Sequence, residues 1–347
     1  MSRFEQDWLF AIGIAAVCTI ATAAESGRAA PDWTPPKTAW GEPDLQGVWT
    51  SDDSMGVPFE RPKRYGNRKT LTDAEFAQRK EETELIANSI QTGVIPNAGY
   101  WLQHEGVDAK PYASNWMEYP RRTSHQTSLI VDPEDGHFPP LTLEASKLRV
   151  AAIFAAKTRP RPQSWEDFSM FARCITRGVL GSMLPVVYGN GVEILQSPGL
   201  VVIRTELIHE ARIVPVDPPD HPHPHLPSAI RTYMGDPRGH WEGDTLVVET
   251  TNFIGERLGI GENGEGIKYS DALRLVERFT RSSESAVQYQ ATVDDPKTFR
   301  AAWTVTFPLT HEPGYRIFEY ACHEGNYSMA NMLSAARAEE QAQSAPK

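Results

Sequence analysis

Three stretches of alternating sequence each set a glutamate among apolar residues. Successive side chains of a strand point to opposite faces, so residues i, i+2 and i+4 share one. On that rule Leu273, Leu275, Glu277 and Phe279 form one row. Tyr315, Ile317, Glu319, Ala321 and His323 form a second, and Val247, Glu249, Thr251 and Phe253 a third. A carboxylate in an apolar interior is costly unless paired or protonated. Desolvation raises its pKa toward the range of a useful general acid or base. Glu277 and Glu319 are therefore the candidate acid and base, with Glu249 tuning them. A plainer reading stays open: the rows face outward, or each Glu is bonded to an Arg in a buried network. Arg204, Arg212, Arg278 and Arg316 are possible counter-ions.

Other residues suggest chemistry at a rim. Glu206-Leu207-Ile208-His209-Glu210-Ala211-Arg212 lies between two expected strands. There His209 can relay protons at neutral pH, and Arg212 can hold a developing oxyanion. The same residues also read as a solvated hairpin tip. His221, His223 and His225 alternate with Pro222 and Pro224. Histidine is a common metal ligand, yet side chains two apart on a proline-stiffened chain do not converge. A polar loop is the expectation, and no metal or other cofactor is assigned. Cys322-His323-Glu324 suggests a thiolate nucleophile, which pairing of Cys322 would silence. The chain lacks Gly-x-Ser-x-Gly, His-Glu-x-x-His and a Gly-rich loop after a strand, the marks of common hydrolase, zinc and nucleotide sites.

The positioning elements are mostly strands. From about residue 185 onward, short β-rich runs alternate with turn signals. The runs are 192–196, 200–206, 211–215, 230–234, 245–251, 273–281, 286–293, 301–307 and 316–323. Turns are expected at 197–199, 235–239, 242–244 and 294–296. A first strand lies far upstream at 44–50. Consecutive antiparallel strands with short links predict a mainly β fold, an up-and-down barrel that leaves no exposed edge. Residues 44–343 form this single barrel, with 55–170 as a helical and loop insertion; a separate N-terminal domain ending near 170 is the alternative. Thr72-Asp73-Ala74-Glu75 is a capping box before a helix reaching about residue 90. Residues 143–157, 164–173 and 328–342 also read as helical. The aromatics Tyr100, Trp101, Tyr112, Trp116 and Tyr119 either line a pocket or staple a loop onto the body.

The first 24 residues read as a signal peptide. Arg3 precedes an apolar run over 8–17, and Ala21-Thr22-Ala23-Ala24 offers a cleavage site. The run is shorter than the ~20 residues a membrane span needs, so no stable span is expected after cleavage. A Pro-rich lead-in follows over 25–43. Cys18 leaves with the signal, and Cys174 and Cys322 remain as an even pair suited to an oxidising compartment. A bridge between them would be worth about 4–5 kcal/mol on the chain-entropy account. With 45 acidic and 34 basic residues the net charge is −11. Such a chain repels phosphate backbones, which sets nucleic acid aside. No run of Lys and Arg marks an anionic membrane surface.

Several segments resemble a family of uncharacterised secreted bacterial proteins. They are 44–50 (DLQGVWT), 173–178 (RCITRG), 235–253 (GDPRGHWEGDTLVVETTNF), 275–281 (LVERFTR) and 320–327 (YACHEGNY). The resemblance implies secretion but no activity. Gly47-Val48-Trp49 is similar to the Gly-x-Trp that opens lipocalin-like (calycin) barrels. The expected function is therefore that of a periplasmic or secreted barrel enzyme. It would carry out hydration, dehydration, isomerisation or cyclisation, lyase or isomerase chemistry, on a hydrophobic small molecule. The rivals are a non-catalytic carrier of such a ligand, a metal-dependent hydrolase, and a structural envelope protein with a filled barrel.

Overall fold

The alternating runs assemble into one large antiparallel sheet. The computed structural model describes residues 33–92, 118–158, 161–218, 221, 223–261 and 266–344. The signal segment 1–24 and the aromatics Tyr100, Trp101, Tyr112 and Trp116 lie outside the described residues. The strands are β1 (Gly47–Thr50), β2 (Ile130–Asp132), β3 (Gly191–Ser197), β4 (Leu200–Thr205), β5 (Ala211–Pro215) and β6 (Asp236–Glu242). They continue with β7 (Thr245–Thr251), β8 (Gly259–Ile260), β9 (Ile267–Lys268), β10 (Arg274–Ser283), β11 (Ala286–Asp294) and β12 (Trp303–Thr310). The helices are α1 (Asp73–Thr92), α2 (Leu143–Thr158), α3 (Val179–Met183) and α4 (Tyr327–Ser344).

The main sheet runs β5-β4-β3-β1-β12-β11-β10-β7-β6, with β2 added onto β12. β1 thus joins two meanders, lying beside β3 through Trp49↔Val192 and touching β12 at Thr50↔Thr310. β8 and β9 form a separate two-stranded ladder. The two ends of the large sheet approach each other at Val216 and Gly239, where Asp217 N donates to Gly239 O at 2.8 Å.

Alternation fixes which side chains point inward. In β10 Leu275, Glu277 and Phe279 are buried while Val276 and Arg278 are not; β11 buries Val287, Tyr289, Ala291 and Val293. These meet Trp49, Ile194, Ile203, Val248, Val305 and Phe307 in one core. Tyr289 lies between Phe279 and Phe307, each ring pair 5.1 Å apart. Burial of such rings is the main source of stability. A second aromatic group, Phe59, Phe138, Phe299 and Trp303, packs the segment after β1 against β12.

Helix α1 begins as expected. Thr72 Oγ1 accepts from Glu75 N at 3.3 Å, and Glu75 Oε2 accepts from Thr72 N at 2.8 Å. Four expectations are corrected. Residues 164–173 hold only a short 3-10 turn at Trp165–Asp167. Residues 230–234 form no strand; Thr232 makes a single bridge to Phe253. The expected turn at 235–239 is the start of β6, which tolerates Pro237 because its ladder pairs only with β7 and a missing N–H is harmless at an edge. Residues 316–323 are irregular, because their backbone donors go elsewhere. Phe318 N donates to Glu206, Tyr320 N to His209 Nε2, and Cys322 N to Tyr320 O.

A disulfide joins Cys174 and Cys322, whose Cα atoms are 5.7 Å apart across 148 residues of sequence. Asn326 reinforces the junction by donating to Ala172 O at 2.9 Å. The segment after β12 is thereby tied back across the end of β4 and the turn that follows it.

Candidate functional site

Glu277 points into the interior, as its row predicts, and is fully buried. It is not free to act on a substrate. Arg212 Nη1 donates to its Oε2 at 2.5 Å and Nη2 to its Oε1 at 2.9 Å, while Tyr289 Oη donates to Oε1 at 2.9 Å. Burial works against the charge on Arg212, but Glu277 outweighs it and holds the guanidinium above its ordinary pKa. Burial, then the charge of Glu277, pushes the Tyr289 phenol well up. This is the plainer alternative realised: a buried glutamate saturated by an arginine. β5 is one edge of the sheet and β10 lies near the other, so the contact requires the sheet to curl.

The remaining expected residues scatter. Glu249 faces the opposite side from Glu277, because Glu277 pairs with Val248 and Glu249 with Val276. It is half-buried and bonded to Arg274 and, at 3.3 Å, to His225 Nε2. Glu319 is exposed in the irregular segment. His209 is exposed on a left-handed turn with φ 54°, its ring accepting from Tyr320 N at 2.9 Å. His223 Nδ1 lies 2.6 Å from Asp217, and His225 Nδ1 lies 3.0 Å from Asp236. These two histidines strap the loop after β5 to the sheet and do not converge with His221 on one point. Among the described residues no group of three or more His, Cys, Asp and Glu side chains is arranged to hold a metal.

What does converge is a set of acids that no strand row revealed. Asp52 follows β1, Glu206 follows β4, and Glu118 and Tyr315 come from two distant loops. Tyr315 Oη lies 2.6 Å from Glu206 Oε2 and 3.3 Å from Glu118 Oε1. Glu118 accepts from Gly189 N and Asn190 N, and its charge acts on Asp52. Asn190 Nδ2 donates to Asp52 Oδ1 at 2.7 Å. Burial, then the charge of Glu118, pushes Asp52 up to about 9. Burial also raises Glu206, opposed by the bonds from Tyr315 and Phe318 N. The Tyr315 phenol is raised too, by burial and then Glu118.

Local chain geometry makes this approach possible. A Cβ on Gly191 would sit 2.8 Å from Glu206 Oε2 and 2.8 Å from Ile317 Cδ1, so only glycine admits both. Aromatic surface adjoins the cluster. Tyr188 and Tyr320 stack at 6.5 Å, and Phe318 is exposed beside Tyr315.

The interior itself is filled by Trp49, Phe279, Tyr289 and Phe307. A pocket of about 10 Å³ bordered by Arg177, Phe253, Tyr269 and Leu275 has room for about one water molecule. Ligand pockets are typically ~300 Å³ or more.

No family model, curated protein or solved structure matches this chain. Its chemistry therefore rests on the residues themselves. Within the Glu206–Arg212 stretch, two residues carry different duties. Glu206 joins the acid cluster, whereas Arg212 neutralises Glu277. Two sequence signals touched the cluster, Glu206 within that rim segment and Tyr315 at the head of the Glu319 row; Asp52 and Glu118 are brought to it only by the tertiary fold.

Proposed function

We propose that this chain is an exported acid–base enzyme of the lyase or isomerase type, with Asp52, Glu118, Glu206 and Tyr315 as its proton donors and acceptors. Glu277 and Glu319 have no direct part in it. The carrying observation is the Tyr315 hydroxyl placed between Glu206 and Glu118, with Asp52, bonded to Asn190, held in the field of Glu118. Such a chain can hold a proton at one end and accept one at the other. A carboxyl kept neutral near pH 7 is a competent general acid, and a neighbouring carboxylate a competent base. The rings of Tyr188, Tyr320 and Phe318 offer an apolar surface beside it, suited to a small molecule with a hydrophobic body. His209 lies next to Tyr320 and is the candidate relay to solvent.

Other features support parts of this reading. The Cys174–Cys322 bond supports export, because disulfides persist in oxidising compartments. We read the sheet as a lipocalin-like up-and-down barrel with its seam between β5 and β6. Nine strands cannot all alternate around a ring, so one seam must be parallel, and the Val216–Gly239 bridge is parallel. Kinship with the secreted bacterial family belongs to the same proposal. Its longest matching segment, 235–253, covers the β6–β7 hairpin.

The test is proton exchange in deuterated water. Hydroxylated and unsaturated hydrophobic compounds are incubated with the protein, and deuterium uptake or turnover is read by mass spectrometry. Turnover that is lost in Asp52→Asn and Glu206→Gln supports the reading. Turnover that persists in both variants overturns the assignment. The filled interior favours a second reading, a structural envelope protein without chemistry, and absence of exchange across the compounds would favour it.

A further inference from the structure

Helix α2 is fastened at both ends but stands open to solvent over its middle turns. Thr142 caps its start, accepting from Ala145 N at 3.1 Å while its own hydroxyl donates to Lys297 O at 2.6 Å. Just past its end Arg161 pairs with Glu339 at 2.7 Å, and Arg337 donates to Pro162 O at 2.9 Å, so α4 holds the exit. Between these anchors every residue from Lys147 to Ala155 is exposed.

The exposed residues are the wrong ones for water. Leu143 is 68% exposed, Val150 66%, Ile153 50% and Phe154 68%. Leu143, Val150 and Phe154 stand seven and four residues apart, which places them in one stripe along a helix, with Ile153 beside it; a single further large apolar residue, Leu148, 51% exposed, lies on the far side. Lys147 borders the stripe on one side and Arg149 on the other, and Lys157 extends it at the C-terminal end. The helix carries three cations against one acid, Glu144, in a chain of net charge −11. Lys147 lies 3.9 Å from Glu144, a solvent-exposed pair that contributes little and leaves the lysine available.

We propose that α2 is an interfacial helix that lays the Leu143–Val150–Phe154 stripe on an anionic lipid surface, with Lys147, Arg149 and Lys157 against the headgroups. An apolar stripe flanked by cations has the chemistry of that partner. At 1.5 Å per residue sixteen residues reach about 24 Å, short of a span. Among the described residues no helix is long and apolar enough to cross a membrane. A second copy of the chain fits less well. An antiparallel two-fold pairing that sets Val150 against Phe154 also sets Lys147 against Lys157, so burial of the stripe would oppose like charges.

The test is co-sedimentation of the full chain with vesicles of phosphatidylcholine alone and of equimolar phosphatidylcholine and phosphatidylglycerol. Wild type binds the anionic vesicles more tightly, and added salt weakens that binding. Val150→Ser with Phe154→Ser, and separately Lys147→Glu with Lys157→Glu, each weaken it by about tenfold or more. All four positions are exposed, so the variants keep their circular dichroism and any catalytic activity. Equal binding by wild type and both variants, or no binding to the anionic vesicles, overturns the proposal. So does a dimer in vesicle-free solution that Phe154→Ser dissociates, because α2 would then be covered by a second copy.

Discussion

Arg212 and Glu277 meet inside the curled sheet as a two-pronged pair, with contacts of 2.5 and 2.9 Å and side chains 3% and 0% exposed. Breaking such a pair leaves one buried charge without its partner, at about 3–5 kcal/mol. Glu277→Gln and Arg212→Met should each lower stability by that amount in urea denaturation. Replacing Arg212 and Glu277 together with Met and Leu should recover most of the loss. Glu319→Gln, on the exposed segment, should change stability by no more than about 0.5 kcal/mol. A Glu277→Gln protein as stable as wild type would contradict the pairing.

Asp52 makes stability depend on pH in an unusual direction. Its carboxyl is raised in the folded chain from 3.8 to about 9. The folded state therefore holds the proton more tightly than the unfolded one. The resulting stabilisation is complete below about pH 4 and fades as pH rises toward 9. Between those values the Asp52 contribution falls by up to about 1.4 kcal/mol per pH unit. Thermal unfolding measured from pH 5 to pH 9 should show a falling limb in wild type that Asp52→Asn flattens. An Asp52→Asn protein with the same pH profile as wild type would count against a protonated Asp52.

Tyr315→Phe removes one hydroxyl and leaves Glu206, 6% exposed, without its shortest hydrogen bond. Phe318 N still reaches the same oxygen, so the loss is that of one hydrogen bond to a carboxyl group, about 1.5–3 kcal/mol. The catalytic proposal adds a further expectation: any turnover should fall by about 100-fold or more, as for loss of a general acid. A Tyr315→Phe protein that loses stability but keeps full turnover would leave the tyrosine a purely structural role.

The disulfide closes a loop between residues 148 apart. Chain-entropy reasoning gives about 5 kcal/mol for a loop of that length. Reduction, or the double change Cys174→Ser with Cys322→Ser, should lower the denaturation midpoint accordingly. It should also loosen the segment carrying Tyr315 and Phe318, seen as faster hydrogen exchange at Phe318 and Tyr320. Unchanged exchange there would show that the segment is held without the bridge.

Much of the sheet was legible in the sequence because strands such as β10 and β11 bury one face and wet the other. That alternation placed Glu277 inward. It failed for Glu249, because Leu246, Val247 and Val248 are all buried and the row has no clear wet side. Only the register with β10 settles the face. Glu319 sits in an equally convincing alternation, yet its neighbours' N–H groups are taken by Glu206, His209 and a tight turn. Local pattern carries no information about such long-range acceptors. Arg212 was one of four possible counter-ions, and the curl of the sheet selected it. The convergence of the acid cluster was illegible for the same reason: Glu206 and Tyr315 stood in separate segments, and no local pattern joins them to each other or to Asp52 and Glu118.

The proposed chemistry depends on an Asp52 carboxyl that keeps its proton at neutral pH beside Glu118. Carbon-13 NMR of side-chain carboxyls, with Asp52 assigned by its loss in Asp52→Asn, measures this directly. The Asp52 resonance should stay in its protonated position through pH 7 and titrate near 9. Titration at about 4, the ordinary range of an aspartate, would contradict it.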